Sequence, residues 1–248
     1  MNKNYIGMDQ AVEQVISDFF ALLFPAFFGS LDQKMTTSTF KHSLKYLLSF
    51  TVKSKDKCEI VATTLSQNIT HIKQLIDTDI QAAYQGDPAA KSTEEIILTY
   101  PGFKAISIHR LAHELYLLDI PIVPRMLSEK MHSLTGIDIH PGAQIGAYFF
   151  IDHGTGIVIG ETTVIGEHVR IYQNVTLGVR NFNITEDGSL AKYGKRHPNI
   201  GDGVVIYAGA TILGGDTFIG NNTTIGSGTW ITRSVPENTV IVNKNSTY

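Results

Sequence analysis

His153 is the histidine of this sequence that is best placed for general-base chemistry. It lies in the segment IDHGTGIVIGET, where a regular spacing of aliphatic residues slips by two positions. Such a slip forces a bulge in a repetitive strand structure, and a bulge re-aims the side chains that it carries. Acyl transfer to a hydroxyl group needs a base of this kind, a group that orients the base and a site that holds the acceptor.

Asp138 is the carboxylate that we expect to orient His153. It lies 15 residues earlier in the chain. With roughly 18 residues in each coil of the repeat described below, the two residues are expected nearly one coil apart and close in space. An aspartate beside a histidine fixes its tautomer and stabilises the imidazolium as it forms. On spacing alone, a purely structural hydrogen bond between the two is an equally good interpretation.

The other histidines are weaker candidates for a catalytic role. His140 precedes a proline at a turn and His168 lies at a polar corner, so both are interpreted as structural. The histidines of the first half have no obvious carboxylate partner in sequence and are interpreted as surface or packing residues. A metal site made of His140, His153 and His197 is not expected, because no Cys or His pair has the tight spacing of metal ligands. The sequence therefore predicts no metal site.

The elements that carry these residues change character near residue 136. Beyond it, aliphatic residues recur every six positions and glycine often follows them: Ile139, Ile145, Ile151; Ile159, Ile165, Ile171, Leu177; Ile200, Ile206, Ile212; Ile219, Ile225, Ile231. This is a hexapeptide β-helix repeat. Three hexads close one triangular coil, and each inward aliphatic side chain contributes roughly 1.5–3 kcal/mol when buried. A sandwich of short strands is disfavoured, because its alternation has a period of two.

Residues 1–135 predict an α-helical domain, which either packs on itself as a bundle or holds subunits together. Apolar residues recur at intervals of three and four in segments 11–23, 43–48, 61–76 and 105–118. Thr93 and Asp77 are interpreted as signals for helix N-termini, and Pro101-Gly102 as a break. The fold class is therefore α+β, with helices in residues 1–135 and a β-helix domain in residues 136–248. A polar loop extruded at residues 178–199 interrupts the repeat, and such loops are more often functional than structural.

Composition excludes several classes of function. The formal net charge of −3 gives no electrostatic reason to expect nucleic acid or an anionic membrane as partner. The one cysteine, Cys58, fits a reducing compartment. The first residues lack the layout of a signal peptide, and the apolar stretches are too short to span a bilayer. We therefore expect a cytoplasmic protein.

Three segments, IDIHPGAQIG, FIDHGTGIVIGET and KRHPNIGDGVVIYAGATILGG, resemble the signature of the serine acetyltransferases. The resemblance extends over residues 87–236. It implies a left-handed parallel β-helix and an enzyme that transfers the acetyl group of acetyl-CoA to the hydroxyl of L-serine. The product would be O-acetyl-L-serine for cysteine biosynthesis. No permanently bound cofactor is implied, because acetyl-CoA is a co-substrate.

The resemblance also assigns roles to residues, motif by motif. His153 matches the catalytic histidine of the family, and Asp138 matches its orienting aspartate. Two further aspartates match those near the serine ammonium group: Asp152, and Asp87 in an Asp-Pro-Ala segment 51 residues before Asp138. Arg196 matches the residue for the serine carboxylate, which an arginine fork suits. The other assigned positions are His197 and Glu161 in the same pocket, and Ala208, Gly209, Gly226 and Ser227 for acetyl-CoA.

The family also implies partners. It forms trimers through the β-helix and dimers of trimers through the helical domain, and cysteine is expected to compete with serine. The chain ends in NKNSTY, without the tail that the family uses to dock into O-acetylserine sulfhydrylase, which puts that docking in doubt. One alternative is an acetyltransferase of the same fold acting on a sugar or another amino alcohol, and a sugar would not need both Asp87 and Arg196. The other is a scaffold or a metal-dependent hydratase.

Overall fold

The protein is described from a computed structural model, which covers residues 5–29, 32–182 and 184–243. Helices form the first half of these residues: α1 (Met8–Leu23), α2 (Pro25–Phe28), α3 (Gln33–Ser49), α4 (Lys55–Gly86), α5 (Thr93–Thr99), α6 (Pro101–Leu117) and α7 (Val123–Thr135). Within the described ranges, none of these helices is long and apolar enough to cross a membrane.

Local sequence explains where several helices begin. Ser54 caps α4 by accepting a hydrogen bond from the Lys57 N–H, and Ser92 caps α5 by accepting from the Glu95 N–H. Pro101 separates α5 from α6, as expected, but it does so as the first residue of α6, where its missing N–H has no cost.

Two details of the helical half differ from the sequence-based expectation. Asp77 is not a helix start, because it lies inside α4, a 32-residue helix that no proline interrupts. Helix α7 lies in the half predicted to be helical, but its segment was not singled out by the spacing of apolar residues. It buries one stripe (Val123, Leu127 and Met131) that continues the core of the other helices.

The second half consists of very short strands. They are β1 (Asp138–Ile139), β2 (Gln144–Ile145), β3 (Phe150–Ile151), β4 (Val158–Ile159), β5 (Val164–Ile165), β6 (Arg170–Ile171), β7 (Thr176–Gly178), β8 (Asn199–Ile200), β9 (Val205–Ile206), β10 (Thr211–Leu213), β11 (Phe218–Ile219), β12 (Thr224–Ile225), β13 (Trp230–Ile231) and β14 (Val240–Ile241). Almost every strand ends on or contains the aliphatic residue of one hexad, so the six-residue spacing predicted the strands correctly.

These strands form the three faces of a triangular prism. Face A has the order β1-β4-β7-β10-β13, face B has β11-β8-β5-β2, and face C has β14-β12-β9-β6-β3. Every pairing between these strands is parallel. The chain passes from A to B to C and back to A, one coil higher each time. The architecture is the left-handed parallel β-helix that the resemblance implied.

The register shows where the coils depart from regularity. Asp138 pairs with Val158 and Val158 pairs with Thr176, so the first coil takes 20 residues and the second takes 18. The extra residues of the first coil lie in the corner that contains His153. Thr176 pairs with Thr211, 35 residues later, because the third coil contains the extruded loop. That loop carries one antiparallel bridge, between Ile184 and Leu190.

Two hydrophobic cores meet at the junction between the halves. Ala105 and Ile106 of α6 join the core of the β-helix, and Phe150 of β3 joins the helical core. A buried ion pair fixes this junction: Arg110 of α6 binds both carboxylate oxygens of Asp79, at 2.7 and 2.8 Å. Arg110 also donates to the carbonyls of Ile145 and Gly146. The helices are therefore held rigidly against the first coil.

Candidate active site

The corner between faces C and A of the first coil gathers acidic residues around His153. We define the acidic corner as Asp87, Asp152 and His153. Asp152 and His153 follow β3, and Asp87 caps the end of α4. The His153 Nδ1 atom lies 3.8 Å from a carboxylate oxygen of Asp152, which is an electrostatic contact rather than a hydrogen bond. The His153 side chain is 68% exposed, so it is accessible to a ligand.

The backbone explains why His153 points outward. Its φ is 59°, in the left-handed region, and Gly154 and Gly156 follow with φ of 90° and 81°. A non-glycine residue rarely adopts this conformation. Glycine is needed beside it, because a Cβ atom at Gly154 would lie 2.5 Å from Ile137. The predicted register slip is therefore a widened corner that aims the imidazole away from the prism.

Asp87 is held by a residue that the sequence analysis did not single out. The Tyr100 hydroxyl donates to one carboxylate oxygen of Asp87 at 2.5 Å, and the Ala89 N–H donates to the other at 2.8 Å. These hydrogen bonds, Tyr100 first, lower the pKa of Asp87, and the nearby His153 and Arg170 act in the same direction. Asp87 is therefore kept as a carboxylate. Nothing in the spacing around Tyr100 could have identified it.

Asp138 makes no hydrogen bond to His153 within the part of this single chain that the structure describes. It begins β1, on face A, where it pairs in register with Val158 of β4. Its carboxylate lies within 4.8 Å of ligand atoms of Glu129 and His132. The expectation that Asp138 and His153 lie close together assumed that all coils have the same length. The first coil is longer, and this moves His153 away from a position above Asp138.

The corner between faces A and B carries the second group of predicted residues. We define the basic corner as Glu161, Arg196 and His197. An Arg196 Nη2 donates to a Glu161 carboxylate oxygen, and the Tyr116 hydroxyl donates to the other oxygen at 2.8 Å. Burial tends to raise the pKa of Glu161, but the hydrogen bonds from Tyr116 and Arg196 outweigh it and lower that pKa.

His197 is held by Thr162 rather than by Glu161. Its Nδ1 atom lies 3.1 Å from the Thr162 N–H and 2.9 Å from the Thr162 hydroxyl, which also accepts from the His197 N–H at 3.0 Å. Burial, reinforced by Arg196, lowers the pKa of His197 to about 4. The ring is therefore neutral at physiological pH, and an accepting Nδ1 leaves its proton on Nε2. The ring covers Gly160, where a Cβ atom would collide with it.

The residues expected to bind acetyl-CoA lie on the same ridge as the acidic corner, two and three coils further along. Ala208 and Gly209 follow β9, and Gly226 and Ser227 follow β12, so both pairs stand between faces C and A. Gly209 has a φ of 72°. Within the described residues no backbone carbonyl accepts from the Ala208 N–H, while its carbonyl accepts from the Gly228 N–H at 3.0 Å. The ridge thus offers a backbone N–H that is free among the described residues, beside the stacked rings of Tyr172 and Tyr207.

The two corners lie at opposite edges of face A. His153 precedes β4 and Glu161 follows it. The strand segment 157–160 alone advances about 10 Å, at about 3.3 Å per residue. A molecule as small as an amino acid cannot touch both corners of one chain. The structure therefore brings together Asp87, Asp152 and His153, and separately Glu161, Arg196 and His197, with Asp138 on the face between them.

Comparisons with known proteins show which family the chain resembles. The profile of the family described as "Serine acetyltransferase, N-terminal" matches residues 27–108. A curated serine acetyltransferase encoded on a plasmid of Synechococcus elongatus is 58% identical over 176 residues, which are 71% of this chain and 55% of that relative. The chain spans about half the length of the first curated relatives that it matches.

Solved structures match over nearly the whole chain. Serine acetyltransferase isoform 3 of Entamoeba histolytica in complex with cysteine is 40% identical, with a TM-score of 0.80 over 95% of this chain and 82% of that one. A serine acetyltransferase in complex with CoA is 28% identical, with a TM-score of 0.63 over 94% of this chain and 97% of that one.

Proposed function

Given that this chain belongs to the serine acetyltransferase family, we propose that it is a serine O-acetyltransferase. It transfers the acetyl group of acetyl-CoA to the hydroxyl of L-serine and so makes O-acetyl-L-serine for cysteine biosynthesis. The observation that carries this proposal is the division of charge along face A. One edge holds two aspartates and an exposed imidazole, and the other edge holds an arginine beside a neutral histidine.

The active site is completed by a second copy of the chain. When the acidic corner of one copy meets the basic corner of the next, the two half-sites face each other across one cleft. Each copy then uses two different edges, which makes a heterologous interface that closes as a ring, and three prisms satisfy this as a trimer. The helical domain, residues 1–135, is free to pair such trimers. The same interface brings His153 of one copy towards Asp138 on face A of the neighbouring copy.

Serine is recognised by its two charges. Asp87 and Asp152 bind the ammonium group, and the Arg196 guanidinium binds the carboxylate. Arg196 keeps its pair with Glu161 while its remaining N–H groups contact the substrate, because a guanidinium has five donors. The Nε2–H of His197 adds a neutral donor beside it. A sugar acceptor has no charged groups to pair with the two aspartates and the arginine, which favours serine over the alternative substrates.

The reaction is a direct transfer. His153, oriented by Asp138, removes the proton of the serine hydroxyl as the oxygen attacks the thioester carbonyl. The tetrahedral intermediate collapses and expels the CoA sulfur, which receives the proton from His153. Backbone groups of Ala208, Gly209, Gly226 and Ser227 hold acetyl-CoA along the ridge. The only thiol, Cys58, is buried and unpaired in the helical domain, and so is not an acyl carrier.

Two further properties belong to the same proposal. Cysteine competes with serine, because it keeps both charged groups and replaces only the hydroxyl, and a relative's structure contains cysteine. The enzyme works in the cytoplasm, where a single free thiol is stable. The expectation about docking to O-acetylserine sulfhydrylase concerns residues 244–248, which lie outside the described residues.

The experiment incubates purified protein with acetyl-CoA and a panel of amino acids and sugars and measures the release of CoA thiol. We expect release with L-serine, and with no sugar. His153→Ala is expected to lower turnover by about 10²–10⁴-fold, the usual contribution of a general base. His168→Ala is the matched control, because His168 has the same left-handed backbone conformation (φ 57°) and is exposed, but lies in a different corner, between faces B and C of the next coil. Equal loss in both variants, or release only with a sugar, would overturn the proposal.

A further inference from the structure

A second group of potential ligands lies where the helical half joins the β-helix. Glu129 and His132 of α7 and Asp138 of β1 each offer one ligand atom, and these three atoms lie within 4.8 Å of one another. His132 Nδ1 already contacts a Glu129 carboxylate oxygen at 3.2 Å. None of the roles assigned above uses Glu129 or His132.

The local fold sets this cluster in place. Glu129 and His132 are three residues apart on a helix and therefore lie on the same side of it. The helix ends at Gly136, whose φ of 71° turns the chain back so that Asp138 returns to the last turn. The Gly136 N–H donates to the His132 carbonyl at 2.8 Å, so this end is a well-formed cap. The negative end of the helix dipole adds a favourable field for a cation there.

The chemistry of the group fits a borderline transition-metal ion. An imidazole nitrogen and two carboxylates are ligands that Zn²⁺ accepts at about 2.0–2.2 Å, with water in an open fourth position. Tetrahedral binding would need the three atoms about 3.4 Å apart. His132 and Glu129 have side chains that are 43% and 44% exposed, so small rotations can close that gap. Mg²⁺ would not suit the site, since it avoids imidazole and demands a nearly octahedral set of oxygens.

One competing contact has to be displaced. Arg125 forms an ion pair with Glu129 on the same face of α7. Both side chains are nearly half exposed, and exposed ion pairs of this kind contribute little to stability. A zinc ion can therefore take Glu129 from Arg125 at little cost.

We propose that Glu129, His132 and Asp138 form a Zn²⁺ site, and that bound zinc inhibits the enzyme by engaging the carboxylate that orients His153. The inhibitory half of this inference rests on the proposed function, whereas the binding half does not. The device would make acetyl transfer sensitive to free zinc, through a contact between the last turn of α7 and the first strand of the prism.

Binding is tested by calorimetric titration of the metal-stripped full chain with ZnCl₂ and, separately, with MgCl₂. We expect a zinc site and no magnesium site. His132→Gln and Glu129→Gln are each expected to weaken zinc binding at least about tenfold, since even outer partners of metal ligands contribute that much. His71→Gln, which removes an exposed histidine of α4, is the matched control and is expected to bind as the unaltered chain does. Unchanged binding in both ligand variants would rule out the site.

Inhibition is tested on the same proteins by following the loss of thioester absorbance, because zinc binds released thiols. Each rate is compared with the zinc-free rate of its own variant. We expect the inhibiting zinc concentration to rise at least about tenfold in His132→Gln and Glu129→Gln but not in His71→Gln. If the two ligand variants lose binding but are inhibited like the unaltered chain, the zinc site stands and its link to Asp138 is rejected.

Discussion

At the scale of residues, the acidic corner depends on a phenol as well as on carboxylates. Tyr100 donates to Asp87 at 2.5 Å and is the first cause of its lowered pKa. The phenol itself is affected in return: burial and the Asp87 carboxylate raise the pKa of Tyr100. It therefore stays protonated and remains a donor. Tyr100 belongs to no recognisable motif, yet its hydrogen bond fixes the rotamer of Asp87 and keeps that side chain ionised. Asp87 is one of the residues proposed to bind the substrate.

Tyr100→Phe removes this hydroxyl and little else. The pKa of Asp87 then rises, so a higher pH is needed to ionise the carboxylate that binds the ammonium group. We expect the KM for serine to increase, most of all at acidic pH, where the Asp87 carboxylate is protonated more readily than in the unaltered chain, with kcat much less affected. Steady-state kinetics across pH measure this, and Tyr84→Phe, at an exposed tyrosine of α4, is the control. A profile that matches the unaltered chain would remove Tyr100 from this role.

At the scale of elements, one threonine ties the extruded loop back to the prism. The Thr162 hydroxyl accepts from the N–H groups of Arg196 and His197, both at 3.0 Å. Thr163, the next residue, is completely buried, and its hydroxyl has no hydrogen-bond partner among the described residues. The hydroxyl of Thr162 therefore stabilises the fold, whereas the buried, unpaired hydroxyl of Thr163 destabilises it. Only Thr162 positions the basic corner.

Thr162→Val keeps the shape of the side chain but leaves two N–H groups without an acceptor, each at a cost of about 1–3 kcal/mol. We expect a lower free energy of unfolding and a higher KM for serine. Thr163→Val removes an unpaired hydroxyl and is expected to be neutral or slightly stabilising. Urea unfolding of both variants provides the measurement. Equal destabilisation by the two substitutions would contradict the assignment.

At the scale of the whole molecule, the prism itself divides the candidate site. Face A is a rigid sheet whose strands are fixed by parallel pairing from β1 to β13. Its two edges cannot approach each other without breaking the coils. A complete substrate pocket therefore needs another copy of the chain, and activity becomes a property of the assembly.

This division predicts complementation between inactive chains. His153→Ala spoils the acidic corner and Arg196→Ala spoils the basic corner, so each variant alone is expected to be nearly inactive. Co-expressed and randomly mixed in a trimer, they give about a quarter of sites in which both corners are intact. Thiol release in the co-purified mixture measures the recovery. No recovery, in mixtures that mass spectrometry shows to be mixed trimers, would mean that one chain holds the whole site.

The repeat, and the residues able to do chemistry, could be predicted from the order of amino acids alone. A period of six is a local property, because each aliphatic side chain must point inward once per strand, and the strands were predicted accordingly. His153 could be identified because a slip in that period is visible in the letters. The helical half was predicted less completely: the long α4 was divided, and the segment of α7 was not singled out, since its stripe is short.

Which of these residues lie close together became visible only in the folded chain. Spacing counts residues along the chain, whereas proximity depends on coil length, and two extra residues in the first corner change the relation of Asp138 to His153. Tyr100 gained its role because α5 packs against α4, whose end carries Asp87, and Thr162 gained its role because the extruded loop returns to the prism. The separation of the acidic and basic corners follows from the width of a pleated face, which no count of residues along one chain reveals.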